Sequence, residues 1–256
     1  MAAIDLNVNI GEGGAHDDAL LAYATSINVA CGWHSGDPTT MHRAALAALA
    51  RDIAIGAHPS YPARQHVGHR SLEMNHDTLY AGIQYQIGAL AGIVKALGGR
   101  LAHVKPHGAL YNDAERDASI ADVVVTAVRR VDPFLAIYGL SGGQLLAAAR
   151  GAGLVAIAET FADRGYRPNG TLVPRSEAGA FIDDPRQIAR RATEVASTGR
   201  LQADDGSWIS VSAQSLSLCG RGPDAVVAAR AIHAALRSAS CSLRRPIRVD
   251  TSTAIP

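Results

Sequence analysis

Cysteine is scarce in this chain: 256 residues hold three, Cys31, Cys219 and Cys241. An odd, widely spaced set builds neither a disulfide framework nor a zinc ribbon, so a reducing compartment is expected and the cytoplasm is the default address. An excess of one charge is missing too, with 24 Lys and Arg against 23 Asp and Glu. Charges interspersed in this way give no broad positive face for a polyanion, and nucleic acid is not an expected partner. No apolar run is long enough to span a bilayer, so no membrane is expected. The opening stretch carries Asp5 and Glu12 where a secretory leader needs a basic end and an apolar core. There is no P-loop, no dinucleotide fingerprint and no HExxH pair. What remains is the composition of an ordinary globular protein, 48% hydrophobic and 18% charged, without low-complexity tracts.

Short runs rich in Ile, Val, Ala and Leu recur between segments of helical period, which is the mark of βα units and a parallel sheet. Seven strands are expected, at 4–10, 26–31, 53–58, 101–105, 135–139, 155–160 and 216–219. The clearest helix carries Leu79, Ile83, Ile87, Leu90 and Val94 on one face, starts at the cap candidate Asn75 and ends at Gly98-Gly99. Others are expected to begin near Asp37-Pro38, Asp117, Gly142 and Asp184-Pro185, and one runs from about Asp224 to Ser238. Asp205-Gly206 suggests a small hairpin, and 60–74 reads as a polar loop. The expectation is an α/β fold, barrel-like, with about seven parallel strands. Residues 1–243 form one catalytic domain in this reading, and 244–256 trail as a surface tail.

Polar groups gather at the strand exits, where such barrels place their sites. Asp5, Asn7 and Asn9 alternate along the first strand and share its inner face, with Glu12 in the glycine-rich turn that follows. The second strand leads from Asn28 to His34 and Asp37, the third to His58, and the fourth to Lys105 and His107. The sixth leads to Glu159, Asp163 and Arg164. Imidazoles and carboxylates move protons near neutral pH, and a desolvated lysine serves as a base or holds an anion. His34, Asp37, His58, Lys105, His107 and Glu159 are therefore the catalytic candidates. His16, His42, His76 and His233 fall in helices or at helix starts and read as ordinary surface residues. Cys31 reads as a small strand-end filler rather than a nucleophile, and Ser141-Gly142-Gly143 is a weak anion-site signal at a helix start. A divalent metal is compatible with the donors, with Asp5, His34, His58 and His107 as candidates, but no fixed-spacing pair demands one.

The blocks DLNVNIGE, NVACGWHSGDP, GAHPSYP, YQIGAL, VKPHGALYN and ETFADRGY with LVPR, in unbroken order from residue 4 to about 237, resemble the LamB/YcsF family. Its characterised members are the A subunit of prokaryotic 5-oxoprolinase. The resemblance implies a barrel related to the glycoside hydrolase and deacetylase folds. It also implies ATP-dependent opening of 5-oxoproline, or its phosphorylated form, to L-glutamate with B and C partner subunits that use the ATP. Carried over by position, it points to Asp5, Asn7, Glu12, Asn28, Asp163, Arg164 and Arg175 as substrate-binding residues. Three departures stand out. Asn9 occupies a position usually held by Asp, 67–70 read Val-Gly-His-Arg where the family reads GFGRR, and Arg221 replaces the histidine of a Cys-x-His-Gly-Asp block. An arginine stays protonated, so Arg221 is expected to clamp an anion rather than act as a base. Two other readings follow from the same residues: a metal-dependent deacetylase or amidohydrolase acting alone, or a binding subunit that kept the pocket and lost the reaction.

Overall fold

The first strand alternates apolar and polar residues, a pattern that usually marks a strand with one wet face. In the computed structural model, which describes residues 3–219 and 224–246, both faces of that strand are buried. Ile4, Leu6, Val8 and Ile10 pack outward under the helices, while Asp5 and Asn7 are fully enclosed on the other side. A polar face without solvent has to look into a closed barrel, and the strand pairing shows that it does.

In chain order the elements are β1 (Ala3–Ile10), α1 (Asp17–Leu20), β2 (Ser26–Ala30), α2 (Pro38–Leu49), β3 (Ala54–His58), a 3-10 turn (Arg64–His66), α3 (His76–Ala96), β4 (His103–Val104), α4 (Gly108–Arg116), α5 (Ala118–Val131), β5 (Ala136–Leu140), α6 (Gln144–Gly151), β6 (Ala156–Phe161), α7 (Pro185–Thr198), β7 (Arg200–Gln202), β8 (Trp208–Ser210), β9 (Ser215–Leu218), α8 (Asp224–Ser238) and β10 (Ser242–Leu243). Strands β1 to β6 pair in sequence, all parallel, and β9 pairs with both β6 and β1. Seven strands thus close into a barrel with helices outside, as the sequence led us to expect.

The helix starts are chemical as well as topological. Asn75, Asp117 and Asp184 each accept a backbone N–H of the first turn of α3, α5 and α7, satisfying donors that a helix leaves open. Asp205-Gly206 turns the antiparallel β7–β8 hairpin. Three short elements were not foreseen. Helix α4 opens on Gly108 with no capping side chain, α1 spans four residues, and β10 adds two residues to the outer edge of β1 at Ala3 and Ile4. The four residues of α1 and two of β10 are too few to carry a period, and the nine of α4 lack a start signal. The stretch expected to trail from Arg244 is tied down at its start, where the Arg244 amide donates to Ile4 O and Arg245 pairs with Asp52; 247–256 lie outside the described residues. Among the described residues no helix is long and apolar enough to cross a membrane.

Candidate functional site

The barrel axis is a stack of polar side chains. At its floor the Asp5 carboxylate accepts from the hydroxyls of Thr25 (2.5 Å), Ser26 (2.7 Å), Ser215 (2.7 Å) and Tyr138 (3.2 Å). Burial nevertheless dominates and raises its pKa, since even four donors do not replace bulk water. Above it the Asn7 amide donates to Ser26 Oγ and exchanges hydrogen bonds with Asn28, which also reaches Asn9. His103 meets Asn28 Oδ1 at 2.8 Å, and burial lowers its pKa to about 3, so this ring is neutral. Gly56 makes room for it, because a Cβ there would lie 2.1 Å from His103 Nε2.

Lys105 stands in the middle layer. Its ammonium donates to Glu159 Oε2 (2.6 Å) and Ser217 Oγ (2.7 Å), lies 3.4 Å from Asn7 Oδ1, and sits 4.7 Å from the Phe161 ring centre. Lys105 and Glu159 are both enclosed. Burial and the Glu159 charge push the Tyr111 phenol well above its ordinary range, so it remains a neutral hydroxyl there.

The rim brings the other candidates together. His34 and His107 stack with ring centres 3.8 Å apart, and His58 stands edge-on to both. Glu12 Oε1 lies 3.2 Å from His107 Nδ1, 3.4 Å from His34 Nε2 and 3.8 Å from His58 Nε2. Burial alone would raise the Glu12 carboxyl. Hydrogen bonds from His107 and His34 and the nearby imidazoles outweigh it and hold Glu12 far below the usual carboxylate range. His58 goes the other way: burial first, then the neighbouring His107, drives it well below 6.5, so it is a neutral ring. Its Nδ1 lies 2.6 Å from Lys105 O. A carbonyl only accepts, so Nδ1 carries the hydrogen and Nε2 is a lone pair facing the cluster.

A loop from β3 closes the rim. Arg64 Nη2 donates to Gly32 O and Gly36 O, Val67 O faces His107 Nε2 at 2.9 Å, and the Ala109 amide donates to Gly68 O. Gly68 has φ +71°, and a Cβ on it would lie 2.6 Å from His107 Cδ2 and 2.8 Å from His34 Cβ. Only glycine fits both the backbone and the space. The stretch that the sequence marked as a polar loop covers the imidazole cluster.

The remaining candidates sit elsewhere. Asp37 is exposed and accepts from the Thr40 amide as the cap of α2, which also lowers its pKa; it does not join the cluster. Asp5, proposed as a metal ligand, is committed to four hydroxyls on the floor, and Glu12 takes that place among the imidazoles. Arg164 is turned to its own loop, donating to Ala180 O (2.8 Å) and Val173 O (2.6 Å). Asp163 accepts from the Cys219 amide, tying the exits of β6 and β9, and burial raises its pKa. Arg175 is exposed above the Phe181 ring and lines, with Asp163, Cys219 and Asp224, a separate cleft of about 430 Å³. Arg221 lies outside the described residues. Cys31 is enclosed, and burial pushes its thiol to about 12, in keeping with a packing role. The Ser141-Gly142-Gly143 turn is filled by the Glu115 side chain: a Cβ on Gly143 would lie 1.5 Å from Glu115 Oε2, and Oε1 accepts from the Leu140 amide at 2.7 Å.

Sequence reasoning passed over His103, Tyr138 and the inward hydroxyls of Ser26, Ser215 and Ser217. The signal for His103 was there, since it shares parity with Lys105 on one strand.

The family model described as LamB/YcsF family matches residues 4–251. The chain belongs to the LamB/YcsF family. A crystal structure of a lactam utilization protein from Thermus thermophilus is 39% identical to this LamB/YcsF chain. It aligns over 94% of this chain and 99% of its own, with a TM-score of 0.89. Two further solved structures align more loosely with this family member. A family 4 carbohydrate esterase from Streptomyces lividans has 11% identity, 98% and 95% coverage and a TM-score of 0.47. A family 39 glycoside hydrolase from Bacteroides cellulosilyticus has 16% identity, 94% and 55% coverage and a TM-score of 0.43.

Proposed function

We propose that this chain is the ring-opening subunit of an ATP-dependent 5-oxoprolinase, hydrolysing the amide of 5-oxoproline or its phosphorylated form to L-glutamate together with B and C partner subunits. The observation that carries the reading is the neutral His58 ring, aimed by a backbone carbonyl at a rim shared with Glu12, His34 and His107, in a chain 39% identical to a lactam utilization protein. His58 Nε2 takes a proton from water as the oxygen attacks the ring carbonyl. Glu12 balances the imidazolium that results. His34 supplies a donor to the oxyanion of the tetrahedral intermediate, and the proton on His58 then passes to the departing ring nitrogen. Lys105 and Glu159, one layer below, hold the strand carbonyl that orients His58 and are positioning residues. Lactam opening is uphill, so ATP hydrolysis on the partner subunits drives it.

The test measures glutamate formed from 5-oxoproline and ATP with the chain alone and with B and C subunits. Activity is expected with all three and is lost in His58→Gln with the assembly intact. Absence of glutamate from the full set, or unchanged turnover in the variant, refutes the reading.

A further inference from the structure

We infer that Glu12, His34 and His107 form a binding site for one divalent transition-metal ion of the zinc type. This inference rests on the same rim as the lactam reading but concerns binding by the chain alone. One ligand atom from each of the three residues falls within 4.8 Å of the others. The two contacts to Glu12 Oε1, 3.2 Å from His107 Nδ1 and 3.4 Å from His34 Nε2, match the edge of a tetrahedron. Bonds of about 2.0–2.1 Å at the tetrahedral angle put ligand atoms roughly 3.3 Å apart.

The orientations of His107 and His58 carry the argument further, while the His34 ring, stacked parallel to His107, has to tilt to bring its Nε2 to the ion. His107 Nε2 lies 2.9 Å from Val67 O and His58 Nδ1 lies 2.6 Å from Lys105 O, so both of these nitrogens must carry hydrogen. The nitrogens turned inward, His107 Nδ1 and His58 Nε2, are 2.9 Å apart and both look toward the Glu12 carboxylate. Here Glu12, His107 and His58 share their hydrogen bonds with one another, and a bound metal ion would take the place of the shared proton. An imidazole whose far nitrogen is fixed by a backbone carbonyl is also the arrangement that orients a metal-bound histidine. Two imidazoles and one carboxylate favour zinc, iron(II), cobalt(II) or manganese(II) over magnesium or calcium, which prefer all-oxygen shells. Three protein ligands leave a coordination position for a small molecule, the count found in catalytic rather than structural zinc sites. His58 stands beside it, 3.8 Å from Glu12 Oε1, and keeps its role as base.

The test uses the purified chain after chelation and dialysis. Zinc and cobalt(II) are titrated by calorimetry and elemental analysis, and cobalt(II) also by its visible absorption. One equivalent bound per chain is expected, with a rise in unfolding temperature on zinc addition. Glu12→Gln and His34→Asn should each weaken affinity more than tenfold while circular dichroism remains native. No stoichiometric binding to the folded wild-type chain, or unchanged affinity in both folded variants, overturns the inference. If the variants do not fold, zinc protection of His34 and His107 against diethylpyrocarbonate in the wild type decides it, and no protection counts against. A chain that binds metal yet makes no glutamate with its partners refutes the lactam reading alone. Full turnover by a complex whose chain takes up no stoichiometric zinc refutes this inference alone.

Discussion

Replacing Lys105 with methionine removes one half of an ion pair that has no route to water. The ammonium touches Glu159 at 2.6 Å and Ser217 at 2.7 Å, and the two charged side chains are 2% and 0% exposed. Methionine fills most of the volume, so the cost is electrical: Glu159 is left in the barrel axis without its counter-charge. Removing one partner of a buried pair typically costs about 3–5 kcal/mol, and at roughly 2–4 °C per kcal/mol for a chain of this size that is about 10 °C in unfolding temperature. Glu159→Gln should cost less, because Ser217 and Asn7 still accept from the ammonium. The double variant Lys105→Met/Glu159→Gln should recover at least about 2 kcal/mol relative to the sum of the singles, since neither charge is then stranded. Urea and thermal unfolding at pH 7, followed by circular dichroism, measure all four corners of the cycle. Additive costs, or a Lys105→Met penalty under about 1 kcal/mol, would refute the account of Lys105 as a structural partner of Glu159.

Three other perturbations probe different layers. Gly68→Ala should lower stability by at least about 2 kcal/mol, from the left-handed backbone and from a Cβ set 2.6 Å from His107; a stability within 0.5 kcal/mol (the range of about ±0.5 usual for surface changes) would show that the loop does not close as described. Glu115 has its pKa raised from 4.5 to about 8, mainly by burial. Its proton therefore favours the fold fully below pH 4.5, and that contribution fades as pH climbs through 8. Glu115→Gln should accordingly flatten the fall in unfolding temperature between pH 5 and 8.5 (about 3 kcal/mol is at stake, below the roughly 5 of the full shift because the side chain is partly exposed), and an unchanged pH profile would count against it. Cys31→Ala should leave turnover of the reconstituted complex within about twofold, because a thiol held near 12 by burial is not a nucleophile at neutral pH; loss of activity without loss of fold would reverse that view.

The strands were legible because each is a short apolar run between glycine- or aspartate-marked helix starts, and the parity of Asp5, Asn7 and Asn9 foretold an inner polar face. His34, His58 and His107 converge because strand exits of a closed parallel barrel meet at one rim, a consequence of topology that residue order along the chain already implied. Asp37 shows the limit of such reasoning. The same Asp-Pro step that marks a helix start also supplies a carboxylate near His34, and its side chain serves the Thr40 amide. Glu115 was hidden because α4 has no start signal, and the hydroxyls around Asp5 were hidden because serine and threonine carry little pattern of their own. The cover over the imidazoles depends on two successive positive φ values, at Val67 and Gly68, and on two carbonyls accepting from Arg64, features that composition does not encode.

The stacked hydrogen bonds from Asp5 through Asn28 to Lys105 plug the barrel like a cork of fixed length. A reagent aimed at His58 meets the loop of Arg64 and Gly68 at the rim, and whatever loosens that cover should speed its arrival. Small hydrophilic probes that label the imidazoles at different speeds in wild type and Arg64→Ala would therefore time the opening of the gate rather than the reactivity of the rings.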